Sequence, residues 1–316
     1  MRTDPRPLPP RIAVLIPCYN EALTIAQVVG AFREQLPNAQ IIVCDNNSTD
    51  QTAMIAASAG ALVLRERRQG KGYVMQSMFR SVDADIYVMV DGDGTYPAEA
   101  VHQIVAPVQS GQADMVIGSR LQTGAVSEIK SLNRLGNRMY LFVLKVLFGV
   151  RLTDLLSGYR SFSRRLVRSL PLRGGGFQTE AEMTIKALER GFPIVEVPVS
   201  LGVRPAGSSS KIRIINDGLL ILGSMFGLLR DYKPLTFFGA AGGFLILLSA
   251  ILGTAVLHEY IQTGLVPHLT TAILALGLTL SGLILLLAGL VLHTIARRFQ
   301  ELDQHLQTMI ADLRRG

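Results

Sequence analysis

The sequence predicts an α/β protein built on a parallel sheet and followed by two membrane-crossing helices. Three observations lead there. Short apolar runs alternate with helix-spaced segments at close intervals through the first ninety residues, the pattern of a parallel sheet. Three of those runs end in polar clusters: "CYNE" from Cys18, "DNNSTD" from Asp45 and "DGDG" from Asp91. Two later runs, Thr236 to Leu257 and Leu269 to Leu292, carry no charge, and each exceeds the about 20 residues that cross a bilayer.

The elements follow in order. "RIAVLIPCYNE" opens with a short apolar run, read as the first strand. "ALTIAQVVGAFREQL" has helical spacing. "AQIIVCDNNSTD" is a second strand with a polar turn, and "QTAMIAASAG" a helix ended by Gly60. "ALVLRER" is a third strand, "GKGYVMQSMFRSVD" a helix after a glycine pair, and "ADIYVMVDGDG" a fourth strand. Ligands of such sheets bind beyond the carboxyl ends of the strands, where all three polar clusters fall.

The second half changes character. "SLNRLGNRMYLFVLKVLFGV" sets Leu132, Leu135, Met139, Phe142, Val143 and Val146 on one helical face, suited either to a membrane interface or to a core. "GLLILGSMFGLL" is too short to span and is read as interfacial or buried. The linker "HEYIQTGLVPH" has no Lys or Arg, whereas "RDYK" precedes the first span and "ARRF" follows the second. The positive-inside rule then leaves both flanks in the cytosol and the linker outside. The expected organisation is an N-terminal extension over 1–10 and an α/β domain over 11–233, the candidate for any catalytic site, with interfacial helices near 131–149 and 211–233. A transmembrane hairpin over 234–294 and a cytoplasmic tail over 295–316 complete it. The tail "RRFQELDQHLQTMIADLRRG" reads as a short amphipathic helix that would pair with a second copy, lie on lipid or stay solvated, so a homo-oligomer stays open.

Composition agrees. Of 316 residues 49% are hydrophobic, with a mean hydropathy of +0.34. The formal net charge of +7 suits an anionic membrane surface or phosphorylated ligands. No basic block is interleaved with aromatics, which argues against nucleic acid. Cys18 and Cys44 lie in strand-like runs and read as reduced, buried packing residues. "MRTDPRPLPPR" has no apolar core of a signal peptide, so the N-terminal part is expected in the cytosol.

The cluster "DGDGTYPAE" poses a chemical question. Asp91 and Asp93 are like charges separated by one glycine, directly after an apolar strand. Such a pair repels in a low-dielectric site unless a cation offsets it. An oxygen-preferring divalent ion, Mg²⁺ or Mn²⁺, does so and bridges a substrate phosphate as well.

Seven segments then make a family resemblance: "VLIPCYNE", "VCDNNSTD", "RQGKGYVMQ", "VDGDGTYP", "IGSR", "DLLSGYRSFSR" and "EVPVSLGVRPAGSSSK". In order and spacing they resemble the motifs of family 2 glycosyltransferases, most of all the polyprenyl-phosphate glycosyltransferases of the dolichyl-phosphate mannose synthase type. The resemblance covers roughly residues 11 to 233 and implies a GT-A fold, a Rossmann-like nucleotide-binding sheet with an acceptor-binding half. By motif it implies that Pro17, Tyr19, Glu21 and Asp45 hold the nucleoside and that Lys71 lies near the donor. Asp91 and Asp93 match the metal-binding pair, with Asp93 also counted catalytic. Many relatives carry Gln where this chain has Thr95, which leaves a third side-chain ligand open. Arg120, Arg134, Arg204, Ser210 and Lys211 match acceptor-phosphate contacts. Asp154, Ser157 and Arg160 match the reaction-centre segment. Gln178, Glu180 and Glu182 fall at an acidic helix start that either serves the site or packs.

The mechanism so implied is direct displacement. A nucleoside diphosphate sugar donates; the "DGDGTYP" form tilts the choice toward a UDP-sugar rather than GDP-mannose. The acceptor is a polyprenyl phosphate, undecaprenyl or dolichyl. Its phosphate has a second pKa near 6 and needs no strong base. It needs delivery, because two anions must meet, and displacement would turn an α-linked donor into a β-linked product. Three other readings compete. A polysaccharide synthase would carry a Trp-containing acceptor motif, and this chain has no Trp. A transferase to a glycolipid or saccharide hydroxyl would need a placed carboxylate, Asp154 or Glu182. A scaffold with a decayed site is disfavoured by acids and arginines at every motif.

Overall fold

The structure is a computed structural model that describes residues 9–120, 138, 141–142, 144–145, 148–172, 179–202, 227, 229–231 and 233–313. Contacts divide the chain into two compact units, Met1–Ile221 and Leu222–Gly316.

The first unit is a seven-stranded sheet: β1 (Ile12–Cys18), β2 (Gln40–Asp45), β3 (Leu62–Arg65), β4 (Ile86–Met89), β5 (Met115–Ser119), β6 (Arg160–Ser163) and β7 (Ile194–Pro198). Its order is β3-β2-β1-β4-β6-β5-β7. The four strands expected from the sequence form, and they run parallel. β7 is parallel to β5, and β6 alone is reversed, antiparallel to both β4 and β5. The sheet is therefore mixed, where the opening pattern predicted a parallel one.

Helices cover both faces, because β1 alternates its side chains. Val14, Ile16 and Cys18 share a core with Ile25, Val28, Val29 and Phe32 of α1 (Ile25–Gln35), Ala56 of α2 (Thr52–Ser58), and Val101 and Ile104 of α4 (Val101–Gln109). On the other face Ala13, Leu15 and Cys44 pack with Val74, Met75 and Met78 of α3 (Lys71–Ser81). Leu166 of α5 (Arg164–Ser169) and Met183 of α6 (Thr179–Glu189) belong to that core too. Cys18 and Cys44 are thus buried, one on each face. In the 131–149 segment Leu144 is buried while Phe142 is 68% exposed. Leu132, Leu135, Met139, Val143 and Val146, and most of the 211–233 segment, lie outside the described residues.

The second unit is a helical hairpin, α7 (Pro234–Thr263) and α8 (Leu269–Leu313). Pro234 opens α7, where its missing N–H costs nothing. The helices meet through small residues. A Cβ on Gly242 would lie 2.6 Å from the Gly282 carbonyl oxygen, so only glycine allows this approach. Ser249 donates to the Ala275 carbonyl at 2.6 Å. The apolar stretches Pro234–Thr263 and Leu269–Phe299 are long enough to cross a bilayer, and only 11% and 17% of their most apolar windows are buried. The core helix of a soluble protein would be mostly covered.

Candidate active site

The carboxyl ends of the parallel strands form one rim. After β1, Asn20 adopts a left-handed φ of 54°, a conformation Asn tolerates. This turn is tied to the one after β2: the Asn20 N–H donates to Ser48 Oγ at 2.9 Å and the Glu21 N–H to Thr52 Oγ1 at 2.8 Å. Asn46 is the clamp between strands. Its amide donates to the Glu66 and Arg68 carbonyls at 3.0 and 2.7 Å and accepts from the Gly70 N–H at 2.7 Å. Tyr19 is 37% exposed at this edge, Pro17 and Glu21 are half-buried, and Asp45 is buried. Buried Glu66 accepts Arg68 Nε at 3.0 Å, Arg68 Nη2 at 2.9 Å and Ser77 Oγ at 2.7 Å. Those bonds, Arg68 first, pull its carboxyl down to about 2. The Arg68 guanidinium lies 4.5 Å over the Tyr73 ring.

The "DGDG" turn leaves β4 beside this edge. Thr24, at the start of α1, donates to the Gly92 carbonyl at 2.6 Å and holds the turn. Asp93 is buried, and its Oδ1 accepts the Thr95 hydroxyl at 2.7 Å and the Thr95 N–H at 3.1 Å. Asp91 is a third exposed, and Lys71 Nζ lies 2.5 Å from its Oδ1. The same ammonium lies 2.5 Å from Glu180 Oε1, at the start of α6. Burial works against the Lys71 charge, but the two carboxylates outweigh it and keep it protonated well above the ordinary lysine range. A Cβ on Gly158 would overlap the Asp91 carboxylate as it now lies, so a side chain there would have to displace it.

The remaining wall comes from the loop that enters β6. Asp154, Ser157 and Arg160 have no exposed surface. The resemblance implies a place at the reaction centre for all three; the structure shows them buried below the rim. Arg160 donates from Nε to the Ser157 carbonyl at 2.9 Å, from Nη1 to Thr184 Oγ1 at 2.7 Å, and from Nη2 to the Leu155 carbonyl. Ser157 donates to the Gly118 carbonyl at 2.5 Å. Tyr96 OH accepts from the Gly158 N–H at 2.9 Å. Asp154 receives Arg120 through Nε at 2.6 Å and Nη2 at 2.8 Å, with the Arg120 side chain 21% exposed. Burial opposes the Arg120 charge, and its anionic neighbours, Asp154 among them, more than restore it. Glu196 of β7 accepts the Thr153 and Asp154 N–H groups at 2.8 and 2.9 Å and so fixes the loop.

Among the described residues no group of three His, Cys, Asp or Glu side chains is set to hold a metal. Two carboxylates are nonetheless the protein share that Mg²⁺ commonly takes, with phosphate oxygens and water completing its shell. The donor set Asp91 and Asp93 fits that chemistry. Thr95 supports Asp93 by its hydroxyl bond.

The structure brings Pro17, Tyr19, Glu21, Asp45, Lys71, Asp91, Asp93 and Arg120 to one rim, over Asp154, Ser157 and Arg160. Arg134, Gln178, Arg204, Ser210 and Lys211 lie outside the described residues. Gly202, however, donates its N–H to the Thr95 carbonyl at 2.8 Å, so the chain toward Arg204 departs from the "DGDGT" turn. Glu182 lies 2.6 Å from Lys186 Nζ. Tyr96, Asn46, Thr184 and Glu196 went unnoticed in the sequence. Tyr96, Asn46 and Glu196 fall inside "VDGDGTYP", "VCDNNSTD" and "EVPVSLGVRPAGSSSK", and only Thr184 lies outside every motif.

Comparison with known proteins agrees with this geometry. Residues 13–170 match the sequence model of glycosyl transferase family 2. Glycosyltransferase AglJ of Haloferax volcanii is 32% identical over 296 residues, 93% of this chain and 97% of that protein. The undecaprenyl-phosphate mannosyltransferase of Micrococcus luteus is 29% identical over 218 residues, 63% of this chain and 86% of that one. Among solved structures, M. tuberculosis glucosyl-3-phosphoglycerate synthase superposes with a TM-score of 0.56 at 24% identity, over 71% of this chain and 80% of that one. It has also been crystallised with Mn²⁺, UDP and phosphoglyceric acid, and that structure superposes at a TM-score of 0.54 and 23% identity, over 69% of this chain and 78% of that one. With half its length matched by the family and nearly all of it aligned to one relative, the chain belongs to glycosyl transferase family 2 and is built on a GT-A sheet.

Proposed function

We propose that this glycosyltransferase moves a hexose from a nucleoside diphosphate sugar, a UDP-sugar before others, to a polyprenyl phosphate at the cytosolic face of a membrane. The observation that carries the reading is the Gly202–Thr95 hydrogen bond. It sets Gly202 beside the carboxylate turn, two residues before Arg204 in a sequence that continues through Ser210 and Lys211 to two bilayer-length apolar helices. A phosphate carried on a lipid is the acceptor such a segment suits. The names of relatives support it, the M. luteus undecaprenyl-phosphate enzyme and a dolichyl-phosphate hexose transferase of H. volcanii, 30% identical over 60% of this chain and 81% of that one.

In this reading Pro17, Tyr19, Glu21 and Asp45 hold the nucleoside at the β1–β2 edge. Asp91 and Asp93 would hold a divalent cation, which when bound offsets charge on the leaving diphosphate. Arg120, Arg134, Arg204, Ser210 and Lys211 receive the acceptor phosphate and lower its repulsion from the donor. Asp154 orients Arg120 toward the rim. Ser157 and Arg160 act as positioning residues, since both bind backbone carbonyls of the supporting loops. Attack from the face opposite the diphosphate inverts the anomeric carbon and yields a β-linked product. Both basic flanks of the hairpin face the cytosol in this arrangement.

The test is transfer of label. Membranes containing the chain are given radiolabelled nucleotide sugars one at a time, with undecaprenyl phosphate and Mn²⁺ or Mg²⁺. Label should pass into the organic extract and stay in water when a chelator is added. Label found only on a hydroxyl acceptor, with none on polyprenyl phosphate from any donor, would overturn the reading.

A further inference from the structure

The Lys71 ammonium stands between two carboxylates that 89 residues of chain separate, 2.5 Å from Asp91 Oδ1 and 2.5 Å from Glu180 Oε1. Neither contact is a surface accident. The side chains of Lys71 and Glu180 are 17% and 7% exposed, and the Asp91 carboxylate lies against Gly158, where the missing Cβ leaves it room. Both ends are anchored: Lys71 begins α3 after the loop that Asn46 clamps, and Glu180 lies in the first turn of α6, one helical turn before Thr184, which Arg160 holds. We propose that Glu180 is a positioning residue for the Asp91 site, sharing the Lys71 ammonium with Asp91 and keeping it when Asp91 turns to a divalent cation. This deepens the metal-assisted reading above and rests on it.

The argument is one of charge. Asp91, Asp93 and Glu180 bring three negative charges to a region where Lys71 bridges two of them. Without a metal, the ammonium keeps Asp91 from facing Asp93 uncompensated. When a cation arrives, Lys71 becomes its rival for Asp91. An ammonium with only one carboxylate to rest on would resist displacement, because leaving would strand it in a half-closed site. Glu180 removes that obstacle. Lys71 stays paired on one side while Asp91 is released, and the buried Glu180 is never left alone. A helix start that reads as packing is, on this view, the second seat of a cation that has to move.

The test measures Mn²⁺ binding directly, by the resonance signal of free Mn²⁺ with UDP present, on the full chain in detergent. Glu180→Gln confines Lys71 to Asp91 and should weaken Mn²⁺ binding roughly tenfold. Lys71→Gln removes the rival and should tighten it, the opposite sign. Field effects alone would give those signs too, so the double variant decides. Without Lys71, Glu180→Gln should lose most of its effect, a non-additivity expected only if the two carboxylates share one ammonium. Melting curves confirm that each variant is folded, and Glu180→Asp, which keeps the carboxylate, should recover part of the binding. Additive effects, or equal binding in all variants, would overturn this inference while leaving the metal reading intact. A wild-type chain that holds no Mn²⁺ with UDP would overturn both.

Discussion

Arg120 holds Asp154 from three directions: its backbone N–H donates to Oδ2 at 3.1 Å, Nε to the same oxygen at 2.6 Å, and Nη2 to Oδ1 at 2.8 Å. Asp154 is fully buried, so the pair is a fixed mount for whatever the exposed edge of the guanidinium meets. Lysine keeps the charge but not the planar fork. Arg120→Lys should lower transfer to a lipid phosphate about tenfold to a hundredfold, the worth of a charge-assisted contact. UDP affinity by calorimetry should change little. Asp154→Ala strands Arg120 and should destabilise the domain by about 3–5 kcal/mol in a denaturant titration.

The Glu66–Arg68 pair makes acid stability readable. The Glu66 carboxyl falls from 4.5 to about 2 on folding, through its bonds to Arg68 first. Its folded-state value is depressed, so its contribution is present above the unfolded value and fades as pH drops from 4.5 toward 2. The melting temperatures of the wild type and Glu66→Gln should differ most above that window and converge at its acid end. A constant difference across it would contradict the pairing.

Topology is open to chemistry. Gln262 lies in the last turn of α7 and is exposed, within the linker segment that has no Lys or Arg. A cysteine replacing it should react with an impermeant thiol reagent in intact cells, the buried Cys18 and Cys44 staying silent. Labelling that needs membrane rupture would reverse the orientation.

Tyr159 offers a stability test away from the chemistry. Its ring packs 6.0 Å from Phe32 and 5.3 Å from Tyr96, and its buried hydroxyl has no hydrogen-bond partner among the described residues. Leaving such a group unsatisfied costs about 1–3 kcal/mol. Tyr159→Phe keeps the packing and removes the orphan, so the melting temperature should rise. A fall would mean the hydroxyl bonds something in solution.

The legible part of the fold was the part written in apolar residues. β1, β2 and β4 are nearly uniform runs, and each ends in a polar cluster that proved to lie on the rim. The short β5 and β7 are not among the strands expected from the sequence, and β6 escaped because "RSFS" looks like a loop. Its polar side chains all have partners: buried Arg160 on backbone carbonyls, buried Ser161 on the Ile104 carbonyl at 2.5 Å, half-buried Ser163 on Asp114 at 2.5 Å. Hydrophobic periodicity cannot register a strand that satisfies itself by hydrogen bonds. The site divides likewise. Asp91 and Asp93 are neighbours in sequence and their spacing announces them. Lys71 and Glu180 meet only because α3 and α6 pack on one face of the sheet, and nothing local to either residue says so.

The single reversed strand has a consequence for how such an enzyme diversifies. Every parallel strand delivers a departing loop to the rim, but β6 delivers an arriving one, and Arg160 at its start pairs with Met89 and Ile117 near the ends of β4 and β5. The loop bearing Asp154 is thereby hung from the middle of the sheet, across β4 from the edge that carries Tyr19 and Asp45. Substitutions in one region need not disturb the other. With the roles proposed above, a lineage can trade the partner that receives the sugar while leaving untouched the grip on the molecule that supplies it.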